Sequence, residues 1–511
     1  LKEQGVDTVF GYPGGTALNL YDTLYEYRDK IRHILTAHEQ GAAHAADGYS
    51  RATGKTGVVF ATSGPGATNL VTGIATAFMD SIPMIAITAN VPDSLIGRDA
   101  FQEICITGVT MPITKHTFFV NKIEDLADAM RNAFRIANSG RKGPVLIDIP
   151  SDLAGSEMVF EYPEDVLIPS YKPTVKGNIR QIRQACEMMK EAKRPILYIG
   201  GGIIASHSEE ELLAVAEKLQ IPVVSTLMGK GAFPASNPLS LGLVGMHGSK
   251  FANYAVTNSD LLIAVGARFS DRVTGKLADF APDAKVIHID VDPAEIGKNR
   301  IPQIPIVGDA KVVLGGINDQ LEQTGYEPCT KEWLAQIEEW RSRHPFYSPG
   351  VSTPAGSISP EGSLDLLSSL LDPENSIVTT EVGQHQMWAA QHIDRDVPRT
   401  FLSSGGLGTM GFGFPAAIGA KVACPEKQVV CIAGDGSFQM NVQEMATAAV
   451  KGINVKVLLM NNSALGMVHQ WQGLFYNERY SETLLPDNPD FVKLCEAYGW
   501  GGKRVSDPAE L

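Results

Sequence analysis

No two of the six cysteines stand in Cys-x-x-Cys spacing, and Cys105, Cys186, Cys329, Cys424, Cys431 and Cys495 lie mostly in apolar segments. They read as buried thiols of a reducing compartment, not as a disulfide framework. Positive charge is also short: 43 Lys and Arg stand against 57 Asp and Glu, a formal net charge of −14. That balance argues against nucleic acid or an anionic membrane as a partner. No apolar run approaches the roughly 20 residues of a membrane span; stretches such as Ile82 to Val91 are broken by Pro or polar residues. An initiating Met and a signal segment are missing too. The chain opens Leu-Lys-Glu-Gln-Gly and stops at Ala-Glu-Leu511, so both ends read as cut. A cytoplasmic protein is expected, with organelle targeting left open.

What is present is an ordinary globular composition, 44% hydrophobic and 20% charged over 511 residues, long enough for about three domains. Strand patterns at 6–10, 57–62, 83–89 and 144–149 alternate with helix patterns at 15–29, 40–53, 67–80 and 124–138. A breaker-rich linker follows at about 161–179. Further strands are expected at 195–199, 222–225, 261–265 and 285–290, and a second breaker-rich stretch begins at Ser348. The expected fold is α/β, three consecutive doubly wound parallel-sheet domains at 1–165, 180–340 and 360–511, the last incomplete at its C-terminal end.

Residues 429–462 carry the clearest chemistry. Val429 to Ala433 reads as a buried parallel strand, 441–450 as a helix and 455–460 as the next strand, which makes a βαβ unit. Gly434 and Gly436 permit a sharp turn. Asp435 and Asn462 then leave adjacent strands at their carboxyl ends, where parallel sheets bind ligands. Their oxygens suit Mg2+ or Ca2+, and the N–H groups of Gly436 and Ser437 at a helix start suit a phosphate. A divalent metal holding a diphosphate is the natural reading. The first segment repeats the pattern, since Ser63 to Asn90 spans 27 residues, as Asp435 to Asn462 does. Ser63 replaces the carboxylate there, so only the third segment can hold a metal in this way. Two similar sheets, one of them holding the diphosphate, suggest a ligand lying between them.

Glu39 stands where a strand ends and a helix begins, among small apolar neighbours. Burial there would raise its pKa and let it hold a proton near neutral pH. A Glu in the first turn of a helix is also well placed for the helix dipole alone, and on these residues by themselves that plainer reading is the stronger.

The Gly434-Asp-Gly436 turn with its paired Asn462 resembles the thiamine diphosphate signature. By that resemblance Asp435, Asn462 and the carbonyl of Ala464 hold Mg2+ against the diphosphate. The motifs Phe10–Gly15, Ala37–Gly54, Thr62–Asn69, Gly245–Gly248, Arg268–Gly275, Val382–Trp388, Ser404–Gly411 and Leu465–Trp471 follow in order. Together they resemble the catalytic subunit of the acetohydroxyacid (acetolactate) synthase family over essentially the whole chain.

The resemblance implies that Glu39 activates the cofactor's aminopyrimidine. Met410 would wedge the cofactor into a bent shape, with backbone groups of Gly408 and Met410 on the pyrimidine. Gln384, His385, Gly436 and Ser437 would contact the diphosphate, and Met467 would also face the cofactor. Glu39 and the metal site would come from different subunits of a homodimer, a tetramer and a regulatory small subunit being left open. Gly200, Gly201, Gly202, Thr226, Leu227, Met246, His247, Gly266, Arg268, Asp290 and Asp309 match the family's FAD positions, for a flavin that is structural and carries no hydride. Taken alone, the glycines after Ile199 fit a plain βα turn better than a nucleotide site.

Arg272 and Trp471 match positions that receive the second 2-ketoacid, with Phe101 and Gln102 lining the same pocket. A guanidinium suits a carboxylate, and an indole gives an ethyl group more contact than a methyl group. Ser151 departs from the Lys that many members carry. The implied reaction is decarboxylation of pyruvate and ligation of the hydroxyethyl group to pyruvate or 2-ketobutyrate, the first common step of branched-chain amino acid synthesis. The alternatives are a pyruvate oxidase-like enzyme or another thiamine diphosphate-dependent 2-ketoacid decarboxylase or carboligase, and, from another class, a non-catalytic cofactor-binding homologue.

Overall fold

The computed structural model describes residues 1–511 except 163–167, 169, 347–349 and 354. Parts of both breaker-rich stretches therefore lie outside the described residues. The rest forms three sheets whose paired strands are parallel. Sheet one holds β1 (Thr8–Gly11), β2 (Arg32–Leu35), β3 (Gly57–Ala61), β4 (Met84–Asn90), β5 (His116–Phe119) and β6 (Pro144–Pro150), in the order β2-β1-β3-β4-β6-β5. Sheet two holds β7 (Pro195–Ile199), β8 (Val223–Ser225), β9 (Ser240–Leu243), β10 (Leu261–Val265), β11 (Lys285–Asp290) and β12 (Ile304–Val307), ordered β12-β11-β10-β7-β8-β9. Sheet three is β13 (Ser376–Thr380), β14 (Phe401–Leu402), β15 (Gln428–Gly434) and β16 (Lys456–Met460), ordered β14-β13-β15-β16.

The chain divides into two compact units. Residues 1–172, 375–386 and 402–505 make the first, with sheets one and three; 173–374, 387–401 and 506–511 make the second, with sheet two. In the second unit, apolar residues of β7, β10 and β11 are buried on both faces, against helices such as α3 (Ala310–Thr324) on one side. In the first unit, α1 (Glu39–Thr53) packs on α4 (Gly413–Ala423). The contact is made by small residues. A Cβ on Gly48 would lie 2.2 Å from the Ala416 carbonyl oxygen, and one on Gly419 would lie 1.8 Å from that of Ala45. Backbones this close tolerate nothing larger than glycine at those two positions.

Several local expectations shift. The 15–29 helix is a 3-10 turn followed by helix Leu18–Glu26. The 67–80 helix is stepped at Leu70, whose N–H bonds the Ala67 carbonyl three residues back, leaving Pro65–Asn69 and α2 (Val71–Asp80). Cys105 and Cys329 are exposed, contrary to the expected burial, because both sit in loops and not in the buried strands.

Candidate active site

β15 delivers Asp435 to the carboxyl edge of sheet three, and β16 beside it leads into Asn461 and Asn462. Asp435 is buried, and its Oδ2 accepts a 2.6 Å hydrogen bond from Asn488 Nδ2. Asn488 also reaches Asn461 Oδ1 at 3.2 Å, so one amide ties both strand ends together. Asn462 Oδ1 accepts the N–H of Ala464 at 3.2 Å, which curls the chain toward the Ala464–Leu484 bridge. Gln384 Oε1 and Asn462 Nδ2 crowd the α-carbon of Gly466, where α6 (Gly466–Phe475) begins, carrying Met467 and Trp471. Met410 Cε lies 4.0 Å from a Cβ built on Gly436. Ser437 Oγ donates to the Gly434 carbonyl at 3.2 Å.

His385 rests against this turn, its ring 2.8 Å from a Cβ built on Gly434. Burial pulls its pKa down to about 4, so the ring is neutral at pH 7. Its Nε2 is buried with no hydrogen-bond partner. A buried polar atom left unpaired costs about 1–3 kcal/mol, which a ligand group hydrogen-bonded to it would recover. Among the described residues no group of three or more His, Cys, Asp or Glu could hold a metal. Asp435 and the Asn462 amide are instead a one-carboxylate oxygen set. That suits a cation that takes its remaining ligands from a diphosphate and water. The residues present fit such a group.

The loop carrying Gly408 and Met410 turns with Gly408 at φ 68°. Glu381 holds its far end, accepting Gly411 N at 2.7 Å and Phe414 N at 3.0 Å. Its carboxyl is fully enclosed, and burial pushes its pKa up to about 7.

Glu39 opens α1, which His38 caps by accepting Gln40 N on Nδ1 at 3.1 Å. The Glu39 side chain is buried, and its Oε2 accepts from Asn69 Nδ2 at 2.9 Å. Gly66 leaves its other oxygen room, a Cβ there falling 3.1 Å from Oε1. Gln102, at φ 62°, packs on Gly64, whereas Phe101 beside it is 86% exposed. Among the described residues no hydrogen bond joins Glu39 to Asp435, Asn462 or His385. Asn90, the first-segment counterpart of Asn462, donates to Asp148 at 2.6 Å and is committed to that buried pair.

In the second unit, the flavin-type positions follow the carboxyl ends of five neighbouring strands. Gly200–Gly202 follow β7, Thr226 and Leu227 follow β8, Gly266 and Arg268 follow β10, Asp290 ends β11 and Asp309 follows β12. Gly200 and Gly202 are also demanded by packing, because a Cβ on either would meet Gly266 backbone within 2.5 Å. Asp309 caps α3, accepting Lys311 N at 3.0 Å. Met246 is exposed, His247 O accepts from Gln391, and Arg272 sits half-exposed on the helical turn Asp271–Thr274. Trp471, in the first unit, is 39% exposed. Asn488 had no local signal in the sequence: it lies in a loop 53 residues from the carboxylate it holds.

Comparison with known proteins gives three family matches. Residues 1–111 match the thiamine pyrophosphate enzyme N-terminal TPP binding domain, 182–317 the central domain and 381–511 the C-terminal TPP binding domain. An acetolactate synthase of Mycobacterium leprae is 53% identical over 99% of this chain and 81% of its own length. An acetolactate synthase large subunit of Corynebacterium glutamicum is 50% identical over 100% of this chain and 82% of its own length. A protein of Methanocaldococcus jannaschii described as "Probable acetolactate synthase large subunit" is 52% identical over 100% of this chain and 87% of its own length.

Proposed function

Because this chain belongs to the acetolactate synthase large subunits of the thiamine pyrophosphate enzymes, we propose that it decarboxylates pyruvate and ligates the two-carbon unit to a second 2-ketoacid, pyruvate or 2-ketobutyrate. The observation that carries the reading is the carboxyl edge of sheet three. There Asp435 and Asn462 leave paired strands beside the unpartnered Nε2 of His385.

Thiamine diphosphate, when bound, supplies the electron sink for the pair left by departing CO2. Asp435, Asn462 and the Ala464 carbonyl hold Mg2+, and Gln384, neutral His385, Gly436 and Ser437 bind the diphosphate. Gly408 and Met410 support the pyrimidine, and Met467 faces the cofactor from α6. Glu39, oriented by Asn69, holds and returns a proton at the pyrimidine ring nitrogen. A homodimer would complete the centre, with Glu39 and the metal end coming from different copies of the chain.

Arg272 takes the acceptor's carboxylate through two parallel hydrogen bonds. Trp471 covers its alkyl group, and Phe101 and Gln102 border that acceptor. FAD binds along the five strand ends of sheet two as a structural group. A small regulatory subunit fits the large-subunit relatives. Among the described residues no helix is long and apolar enough to cross a membrane.

Product analysis with pyruvate and 2-ketobutyrate in competition tests the reading. 2-Acetolactate and 2-aceto-2-hydroxybutyrate are expected together, and a mixture containing neither would overturn it.

A further inference from the structure

The loop from Ser403 to Phe412 is gripped by the first segment of the chain at five points. Arg51 Nη1 donates to the Ser403 carbonyl at 2.9 Å. Gly405 N donates to Asp80 Oδ2 at 3.1 Å and Gly406 N to Asp80 Oδ1 at 2.6 Å. The hydroxyls of Thr76 and Thr409 share a 2.7 Å hydrogen bond, and the Arg51 guanidinium carbon lies 5.0 Å from the centre of the Phe412 ring. Fit is close as well as polar, because a Cβ on Gly406 would lie 2.8 Å from Asp80 Oδ1 and 2.9 Å from the Met79 carbonyl oxygen.

Asp80 is the centre of this grip. Its side chain is fully buried, and it also accepts Arg51 Nη2 at 2.8 Å. Arg51 in turn pairs with Asp47 one turn earlier on α1. A carboxylate on the last residue of a helix faces the negative end of the dipole, so α2 itself gains nothing from Asp80. What the carboxylate does is accept two successive backbone N–H groups with its two oxygens, a charge-assisted arrangement that fixes the loop in direction as well as distance. The loop's exposed crest, Leu407 and Gly408, follows directly, and Met410 comes two residues later.

We propose that Asp80 is a positioning residue for the cofactor's ring system: through Gly405 and Gly406, with Thr76 holding Thr409, it sets where Gly408 and Met410 stand. The inference rests on the reading that these two residues face the thiamine pyrimidine. Asp80 never touches the cofactor. An amide in its place presents an NH2 to one of the two N–H donors, so the loop must turn away.

Asp80→Asn and Thr76→Val are the variants, the second leaving the Arg51 ion network untouched. Intrinsic tryptophan fluorescence reads the affinity of each for thiamine diphosphate and for methyl diphosphate, a ringless probe, both with Mg2+. Asp80→Asn should weaken thiamine diphosphate about tenfold or more, the factor that ~1.4 kcal/mol makes in a binding constant. Methyl diphosphate affinity should stay at the wild-type value, and Thr76→Val should show the same split with a smaller loss. Variants that bind both probes as wild type does, or lose both equally, would overturn the proposal, since loose folding would affect both sites alike. Wild-type protein that binds methyl diphosphate but prefers it to thiamine diphosphate would instead overturn the thiamine reading, and the proposal with it.

Discussion

Glu444 and His38 meet across the first unit: Glu444 Oε1 accepts the His38 N–H at 3.0 Å, and its Oε2 accepts that of Ala37 at 3.1 Å. The next residue is Glu39. Gly41, in the first turn of α1, is a glycine because a Cβ there would collide with the Glu444 carboxylate. Glu444 begins α5 (Glu444–Lys451), so the diphosphate-type segment holds the chain at the point where the proposed catalytic carboxyl is presented. Thr447 Oγ1 donates to Oε2 at 2.6 Å and completes the set.

Glu444→Ala should therefore destabilise the first unit. It removes the carboxylate that accepts two part-buried N–H groups, and a hydrogen bond to a charged group contributes about 1.5–3 kcal/mol. Urea unfolding followed by far-UV circular dichroism should show a lower midpoint with an unchanged slope. An unchanged midpoint would mean that water replaces the carboxylate without cost.

Glu39→Gln should keep the fold and the cofactor affinity while slowing exchange of the cofactor's C2 proton by on the order of 10²–10⁴, the usual worth of a positioned acid–base group. NMR of that exchange checks it. Exchange at the wild-type rate would remove Glu39 from its role.

Glu381 makes stability depend on pH in a defined direction. Its folded pKa of about 7 lies above the ordinary 4.5, so the unfolded chain gives up this proton first as pH rises. The contribution is full below pH 4.5, is lost through about pH 7 and is flat above it. A shift of that size corresponds to on the order of 3 kcal/mol. Asp148, pushed up to about 6 by burial, works in the same direction. Melting temperatures of wild type and Glu381→Gln, compared from pH 5 to pH 8, should show a shallower decline in the variant; parallel curves would contradict this.

Trp471→Leu should lower the preference for 2-ketobutyrate over pyruvate more than it lowers turnover. The two acceptors share the same ketoacid head, so discrimination rests on one methylene, worth about 1–3 kcal/mol or roughly 10–200-fold in specificity. The product ratio at a fixed mixed substrate reads it directly. A constant ratio at a lower total rate would mean that Trp471 only packs α6.

The interior strands were legible because they are buried on both faces. β7, β10 and β11 match the expected 195–199, 261–265 and 285–290 to the residue, as continuous apolar runs should. The passed-over strands β5, β9, β12 and β14 are all sheet edges, and β12 contains Pro305, which an edge tolerates. β13 is interior, but its Ser376, Thr379 and Thr380 hide it from an apolar count. Asp435 and Asn462 could be paired because one βαβ unit carries both, and strand period and turn glycines are local signals. Glu444 and Asp80 could not be, since the backbone groups they hold lie 406 and 325 residues away. Such contacts come from the packing of α1 on α4 and of α2 on the Ser403–Phe412 loop, which no local pattern encodes.

The most direct test is the mass balance of pyruvate turnover by purified protein given thiamine diphosphate, Mg2+ and FAD. Two pyruvates should disappear for each CO2 released and each 2-acetolactate formed, with oxygen neither required nor consumed. Glu39→Gln should suppress all three changes together. Acetate and peroxide appearing in proportion to CO2, or no CO2 at all from fully loaded protein, would contradict it.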